Sequence, residues 1–325
     1  MLSIVSLMKE DFEDVAHFIE YHLNLGFGDV LVFYDGADVE SLRDFLRSRV
    51  GSRDYTIFSI QEIPEIRPHL GPPKVFEAVQ NSVHQFACRV AKNPWLITLD
   101  ADEFLFGAGL DAKFLSALSE GVLSIRLPVA EAVWLPCDDQ WSRWSSTGFR
   151  TPFRFRSPRK LPKLLRKLIP LIAYGQDKYF FTDNVTGHGE GRHVFRAAGA
   201  FDYIGPHHAE VAGKDVSILV NKLASPPPEV KILHYDAISF ERWREKIRRR
   251  VSGEIKSNNV RLDRRMMFDE FSACDAGAEN STIENQKRLF RRLNCLSWRQ
   301  YLILRIFHSC FRADPFEKSL DLPSN

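Results

Sequence analysis

The stretch Trp95–Leu105 reads WLITLDADEFL and decides the fold of this chain. Its first residues are apolar or β-branched, a pattern that predicts a buried β-strand. Three carboxylates follow, Asp100, Asp102 and Glu103, before the chain becomes apolar again. Because ligands bind at the carboxyl ends of strands in an open α/β sheet, we expect these carboxylates to line a ligand site.

Asp100 and Asp102 are separated by one small residue, Ala101. This spacing lets both carboxylates reach one hard divalent cation, directly or through water, while phosphate oxygens complete the coordination shell. A bare Asp-x-Asp is also typical of a solvated acidic turn that ends a strand. The flanks, a hydrophobic strand before the motif and Glu-Phe-Leu after it, favour the metal site.

The composition is that of a folded globular protein. Of the 325 residues, 44% are hydrophobic and 26% are charged, which argues against global disorder and allows one elaborated α/β domain or two smaller ones. The formal net charge of +2 gives no argument for nucleic-acid binding. The cysteines are never spaced Cys-x-x-Cys, which indicates reduced thiols and neither a disulfide framework nor a zinc site. They are Cys88, Cys137, Cys274, Cys295 and Cys310.

The sequence also predicts a location. No secretory signal is recognisable, because a strand-like run begins at Leu2, and no apolar stretch is long enough to cross a bilayer. We therefore expect a cytoplasmic protein, either soluble or peripheral to the inner face of the membrane.

The first third of the chain alternates between strand-like and helix-like segments. The predicted strands are 2–8, 30–34, 55–60 and a strand from Trp95, and the predicted helices are 12–25, 39–47 and 73–92. Such alternation predicts a mostly parallel sheet flanked by helices, with right-handed crossovers and a ligand crevice at the carboxyl edge.

Polar residues from three strand ends are expected to meet at that edge, namely Lys9–Asp11, Asp35 with Gly36, and Asp100–Asp102. Asp35 can accept hydrogen bonds from a nucleobase or ribose, and Gly36 permits close approach of the backbone. Asp-Gly is also typical of a simple turn. The convergence of the three clusters favours a nucleotide site that contains Lys9, Asp11, Asp35 and Asp100.

The set and order of several motifs resemble GT-A glycosyltransferases, specifically family 92 and its bacterial family-2-like relatives. The motifs are Asp100–Leu105, Ile19–Phe27, Val32–Gly36, Gly191–Arg196 (similar to the family's G-K-S-I-V-R) and His234–Tyr235. Two positions depart from the family pattern: Lys9–Asp11 stands where the family has Lys-Asn-Glu, and Tyr34–Ala37 where it has Tyr-Asp-Asn-Gly. The likeness runs from about Ile4 to Lys246.

This resemblance implies a GT-A, Rossmann-like fold and a metal-dependent glycosyltransferase. It implies Mn²⁺ or Mg²⁺ held by Asp100 and Asp102, with the late histidines His208 and His234 as further ligands, and Arg192 in the nucleotide site. The donor would be a nucleotide diphosphate hexose, UDP-linked, and the acceptor a saccharide or lipid-linked hydroxyl reached with inversion, as in polysaccharide biosynthesis. Without the resemblance, each histidine is an ordinary polar residue.

The segment 137–148 is rich in aromatic, hydroxyl and carboxylate side chains. That composition is expected of a sugar-acceptor loop, and equally of a loop that covers the core with buried tryptophans. An inverting transfer needs a base near the acceptor hydroxyl to take its proton. Asp138 and Asp139 are the candidates, with Asp183 and Glu190 as rivals.

The segment 154–167 interleaves basic and apolar residues, which is typical of contact with anionic lipid headgroups or of a solvated basic loop. Nucleic-acid binding is disfavoured because no reading motif accompanies it. An arginine-rich helix is predicted at 239–251, a polar linker or mobile lid at 252–282, and helices at 283–294 and 298–311. The expected domains are a GT-A domain, 1–251, with a nucleotide-sugar half, 1–110, and an acceptor half, 111–251, followed by a helical extension, 252–325.

Two other functions are compatible with these residues. One is a metal-dependent phosphohydrolase, although its Asp-x-Asp would end the first strand, whereas here several strand-helix units precede it. The other is a non-catalytic sugar- or lipid-binding protein on a degenerate GT-A scaffold, which the altered Lys9–Asp11 and Arg192–His193 positions favour.

Overall fold

A computed structural model describes residues 2–71, 76–107, 109–136, 141–153, 163–187, 189–223, 230–254, 260–274 and 279–316. The chain forms two compact units. The first consists of Met1–Pro128 with Glu190–Ile232, and the second of Val129–Gly189 with Leu233–Asn325. Among the described residues, no helix is both long enough and apolar enough to cross a membrane.

The elements follow each other in chain order. The described strands are β1 (Leu2–Met8), β2 (Val30–Tyr34), β3 (Tyr55–Ser59), β4 (Trp95–Thr98), β5 (Glu103–Phe106), β6 (Ser124–Leu127), β7 (Val129–Val133), β8 (Gly148–Arg150), β9 (Arg192–Arg196), β10 (Tyr203–Ile204), β11 (Ala209–Val211), β12 (Lys214–Asp215), β13 (Ser217–Leu219), β14 (Lys231–His234) and β15 (Cys310–Arg312). The described α-helices are α1 (Phe12–Asn24), α2 (Val39–Arg49), α3 (Phe76–Val90), α4 (Ala112–Ala117), α5 (Lys163–Tyr174), α6 (Phe240–Val251), α7 (Leu262–Cys274), α8 (Glu279–Asn294) and α9 (Trp298–Ile306).

A seven-stranded sheet in the order β13-β6-β9-β4-β1-β2-β3 forms the centre of the first unit. Strand β1 pairs in parallel with β2 and β4, and β2 pairs in parallel with β3. Strand β9 lies antiparallel between β4 and β6, and β13 is parallel to β6. Helices α1, α2 and α3 pack on this sheet. These observations confirm the predicted mixed α/β fold with a mostly parallel sheet flanked by helices.

Local sequence explains the first helices. The Asp11 carboxylate accepts a hydrogen bond from the Asp14 backbone N–H at 3.0 Å, which caps the start of α1. Asp38 caps α2 in the same way through the Ser41 N–H. Val79, Val83 and Ala87 of α3 recur at helical spacing, and all three lie in the core against the sheet.

The second unit contains strands in the order β15-β8-β7-β14 and the helices α5 to α9. Its core joins strand residues to all five of these helices. The large side chains that are fully buried in this core include Trp134, Trp243, Phe271 and Phe290. Because helices before and after residue 251 share one core, the units differ from the predicted split into 1–251 and 252–325.

The prediction of a polar linker over 252–282 is wrong for its second half, where α7 forms and α8 begins. Met267 and Phe271, four positions apart in α7, are buried in the core, and Met266 and Phe268 pack against it. Arg264 also donates to the buried Asp236 carboxylate at 2.8 Å. The last predicted helix ends early, at Ile306, because the chain continues into β15 antiparallel to β8.

Candidate functional site

The strand order of the first unit reverses beside β1. The chain passes from β1 to β2 and β3 on one side, and then returns to place β4 on the other side of β1. In open α/β sheets, the crevice outside the carboxyl ends of the strands at such a reversal is the usual ligand site. Here the crevice lies between the residues that follow β1 and those that follow β4.

The residues after β4 form a tight acidic turn. The Asp100 backbone N–H donates to Oε2 of Glu103, and the Glu103 N–H donates to the Asp100 carbonyl, each at 3.0 Å. Glu103 is buried, whereas the side chains of Asp100 and Asp102 are partly exposed. We call residues 100–103 the acidic turn. Its buried glutamate shapes the backbone, and its two aspartates remain accessible at the end of β4.

Arg192 joins both ends of the acidic turn. The antiparallel register that places Val194 opposite Ile97 brings Arg192 to the end of β4. Its Nε lies 2.5 Å from Oε2 of Glu103, and its Nη2 donates to Oδ2 of Asp100. The Arg192 side chain is 4% exposed. Its ion pair with Glu103 is therefore buried, whereas its ion pair with Asp100 is partly solvated.

The positive charge of Arg192 neutralises the carboxylates of the acidic turn only in part. Burial alone would lower the pKa of Arg192, but Asp100 and Glu103 outweigh burial and raise it, so the guanidinium stays charged. Three carboxylates in the acidic turn outnumber this single guanidinium. The turn therefore keeps a net negative charge, which suits a cation arriving in the crevice.

Three buried side chains bind successive carbonyls of one neighbouring turn. Nδ1 of His84 lies 2.8 Å from the Ile204 carbonyl, Nε2 of His193 lies 2.6 Å from that of Gly205, and Nη1 of Arg192 donates to that of Pro206 at 3.3 Å. Burial lowers the pKa of His84 to about 4 and moves the pKa of His193 in the same direction. Neutral imidazoles, each donating one hydrogen bond, thus hold this turn beside Arg192.

The predicted ligand His208 and its neighbour His207, which follow this turn, differ in their surroundings. Nε2 of His208 lies 2.9 Å from a carboxylate oxygen of Glu210. Nδ1 of His207 lies 2.9 Å from the carbonyl of Gly191, the residue before Arg192. Sequence reasoning singled out His208, yet it is His207 whose imidazole lies against the backbone that leads into Arg192.

The predicted nucleotide residues Lys9, Asp11 and Asp35 follow neighbouring parallel strands, and the Asp35 N–H donates to the Met8 carbonyl at 2.7 Å. Lys9 and Asp11 are exposed, and Asp11 is also the cap of α1. Gly36 is required here by a close approach. A Cβ at this position would lie 2.2 Å from Cε1 of Tyr34, whose ring is buried.

Sequence reasoning missed the function of Tyr21 and His22, although both are part of the motif that carries the resemblance. The Tyr21 hydroxyl donates to the Leu105 carbonyl at 2.8 Å, and the Leu105 N–H donates to Nε2 of His22 at 3.4 Å. Burial lowers the pKa of His22 to about 3, and its Nδ1 bonds the Phe18 carbonyl. The pair therefore fixes the strand that follows the acidic turn.

Apart from Glu190, the remaining predicted site residues lie in the second unit or outside the described residues. Asp138 and Asp139 fall outside the described part of the chain. His234 ends β14 in the second unit and is buried there. Asp183 also belongs to the second unit and has a left-handed backbone, with φ of 54°. The rival base Glu190 is exposed in the first unit, two residues before Arg192.

His234 has an acidic neighbour of its own. A Cβ on Gly187 would lie 3.0 Å from Cε1 of His234 and 3.1 Å from Oε2 of Glu131. Glu131 is buried and accepts hydrogen bonds from Arg150 and from the backbone of Gly187. Burial would raise the pKa of Glu131, but the charge of Arg150 and these bonds lower it. The carboxylate is therefore held ionised inside the second unit.

Within the described residues, no group of three or more His, Cys, Asp or Glu side chains is arranged to hold a metal ion. The acidic turn offers two partly exposed aspartates instead. Mg²⁺ in nucleotide enzymes is commonly bound by one or two carboxylates together with substrate phosphates. The donor set of Asp100 and Asp102 fits a cation that arrives with a diphosphate, and not a cation held by protein ligands alone.

No protein-family model matches the chain, and no curated protein matches it. Among solved structures it is similar to HddC from Yersinia pseudotuberculosis, with 14% identity, a TM-score of 0.31, and 67% of this chain and 89% of that chain covered. It is also similar to GalNAc-T7, solved with UDP, GalNAc and Mn²⁺, with 11% identity, a TM-score of 0.35, and 94% and 56% covered. A third is the mannosyltransferase PcManGT from Pyrobaculum calidifontis, in complex with GDP-Man and Mn²⁺, with 11% identity, a TM-score of 0.33, and 94% and 79% covered. This chain thus spans little more than half of the GalNAc-T7 chain, and at TM-scores this low the likenesses assign it no function.

Proposed function

We propose that this chain is a metal-dependent glycosyltransferase of GT-A type, related to family 92. The observation that carries the proposal is the acidic turn at the reversal of strand order, with Asp100 held by Arg192 and with Lys9–Asp11 and Asp35 at the same edge of the sheet. A nucleotide diphosphate hexose, UDP-linked by the family resemblance, would bind in this crevice. Its hexose would pass to a hydroxyl of a saccharide or lipid-linked acceptor.

We propose a role for each candidate site residue of the first unit. Asp102 and Asp100 would hold Mn²⁺ or Mg²⁺, which supplies positive charge to the diphosphate leaving group. Arg192 fixes the direction of the Asp100 carboxylate, and Glu103 fixes the turn. Asp35 would accept hydrogen bonds from the base or ribose.

The residues proposed for the acceptor side of the site come from the sequence. Asp138 and Asp139 remain our candidates for the base that takes the acceptor proton, with Asp183 and Glu190 as rivals. Glu190 has one structural argument in its favour, because it belongs to the same unit as the acidic turn and is exposed. His208 and His234 remain proposed as further metal ligands, as the family resemblance implies.

The first experiment measures thermal unfolding with UDP, GDP or CMP, each with and without Mn²⁺. A ligand that binds only the folded state stabilises it by ~2.7 kcal/mol at about 100 times its Kd. We expect stabilisation by UDP that requires Mn²⁺, is lost in Asp102→Ala and persists in Glu120→Ala, which removes an exposed carboxylate of the same unit. Failure of all three nucleotides to stabilise the wild type would contradict the donor site.

A second candidate is the non-catalytic scaffold, which the pairing of Asp100 with Arg192 favours because this carboxylate already has a cationic partner. One assay distinguishes the enzyme from the non-catalytic scaffold. The enzyme should release UDP from UDP-hexose in the presence of Mn²⁺ and lose this activity in Asp102→Ala, whereas the scaffold would bind nucleotide without turnover.

A further inference from the structure

Helix α9 of the second unit carries an exposed apolar stripe. Trp298, Leu302 and Ile306 recur every four residues and are 60%, 56% and 71% exposed. A spacing of four places them on one face of the helix. Leu304, which lies between them in sequence, is fully buried in the core, so the helix is anchored through its other side.

Helix α5 carries a second stripe beside the first. Leu168, Leu171 and Ile172 are exposed, whereas Ile169 is buried. Helices α5 and α9 pack against each other. Nη2 of Arg299, the residue after Trp298, donates to the Ile172 carbonyl at 3.4 Å, so the two stripes meet at this point. We call the six residues of the two stripes the apolar face.

The sequence around the apolar face is one-sidedly basic. Neither α5 nor α9 contains an acidic residue, and α9 adds the exposed Arg299 and Arg305. Between Asp139 and Asp177 the chain has no Asp or Glu and nine basic residues. These are Arg143, Arg150, Arg154, Arg156, Arg159, Lys160, Lys163, Arg166 and Lys167.

We propose that the apolar face docks on the surface of an anionic lipid bilayer. Apolar side chains with a tryptophan enter the interface between headgroups and acyl chains, and arginine and lysine bind the headgroup phosphates. Helices of 12 and 9 residues are too short to span a bilayer and would lie along its surface. A second copy of the chain is a poor occupant, because a two-fold contact would bring the same basic surroundings together.

The test is co-sedimentation of the full chain with phosphatidylglycerol vesicles and with phosphatidylcholine vesicles, without nucleotide, so the result does not depend on the proposed transferase activity. We expect binding to phosphatidylglycerol that weakens with salt, and little binding to phosphatidylcholine. Trp298→Ser/Leu302→Ser/Ile306→Ser should lower the partition coefficient by roughly tenfold or more. Leu262→Ser removes an equally exposed leucine from α7 and should change nothing.

Two further measurements keep the proposal falsifiable if the triple variant folds poorly. Trp298→Phe should abolish a vesicle-dependent blue shift of tryptophan fluorescence, and Arg305→Glu should weaken binding to phosphatidylglycerol vesicles. Equal binding to both lipids, no binding to either, or an equal loss in Leu262→Ser would overturn the proposal. So would a dimer in solution that dissociates in the triple variant, since the occupant would then be a second copy.

Discussion

Nε of Arg192 lies 2.5 Å from Oε2 of Glu103, and the two side chains are 89 residues apart in sequence and both buried. The same guanidinium also donates to Asp100, so one residue of β9 determines the position of the acidic turn that follows β4. Our proposal for the donor site depends on this arrangement, since it orients the Asp100 carboxylate and holds the turn that carries Asp102.

Arg192→Met should destabilise the fold by ~3–5 kcal/mol, because it leaves the Glu103 carboxylate buried without its cation. Denaturant unfolding measures the change. Arg126→Met is the matched control, since Arg126 pairs with the partly exposed Asp215 and should cost about 1 kcal/mol or less. Adding Glu103→Gln to Arg192→Met should recover part of the loss, and equal costs for the two arginines would contradict the assignment.

Gly36→Ala should destabilise the first unit by about 1–3 kcal/mol, because the new methyl group would overlap the buried Tyr34 ring. The effect should shrink in a Tyr34→Leu background, which a double-mutant cycle measures. Gly121→Ala serves as control, since a Cβ there has no atom within 4 Å. If both glycine variants behave alike, Tyr34 does not restrict the turn.

Stability should fall as the pH drops from about 6.5 toward 4. Burial lowers the pKa of His22 to about 3 and that of His84 to about 4 in the folded state, below the ordinary histidine value of about 6.5. Unfolding in this window therefore takes up protons, and each such histidine contributes up to ~1.4 kcal/mol per pH unit. Unfolding free energies measured across the window should show a shallower slope for His84→Gln than for the wild type, and an unchanged slope would contradict the role of His84.

Phe271→Ala should cost ~3–5 kcal/mol, because Phe271 is buried against Trp243 with ring centroids 5.7 Å apart. Leu262→Ala, at the exposed start of the same helix, should cost less than about 0.5 kcal/mol. Chemical denaturation of both variants distinguishes a core helix from a lid. A small effect at both positions would restore the prediction of a mobile segment over α7.

The resemblance pointed to Arg192, but not to its role. From sequence we expected Arg192 in the nucleotide site, and in the structure its guanidinium binds Asp100 and Glu103. From sequence, Glu103 belonged to the motif without an assigned role, and His208 was the candidate ligand. In the structure it is His207 that contacts the backbone leading into Arg192. These partners are far apart in the chain, so no periodicity in a local window relates them.

The sequence by itself determined the alternation of strands and helices, the cap at Asp11 and the position of Asp100 and Asp102 at the end of a buried strand. Local periodicity and capping are properties of neighbouring residues, and they can be recognised without a structure. The tertiary structure alone decided that β9 runs antiparallel beside β4, that Arg192 binds the acidic turn, that His84 and His193 hold its neighbouring turn, and that α7 belongs to the core. Those contacts join residues distant in sequence, and only the pairing of strands and the burial of charge bring them together.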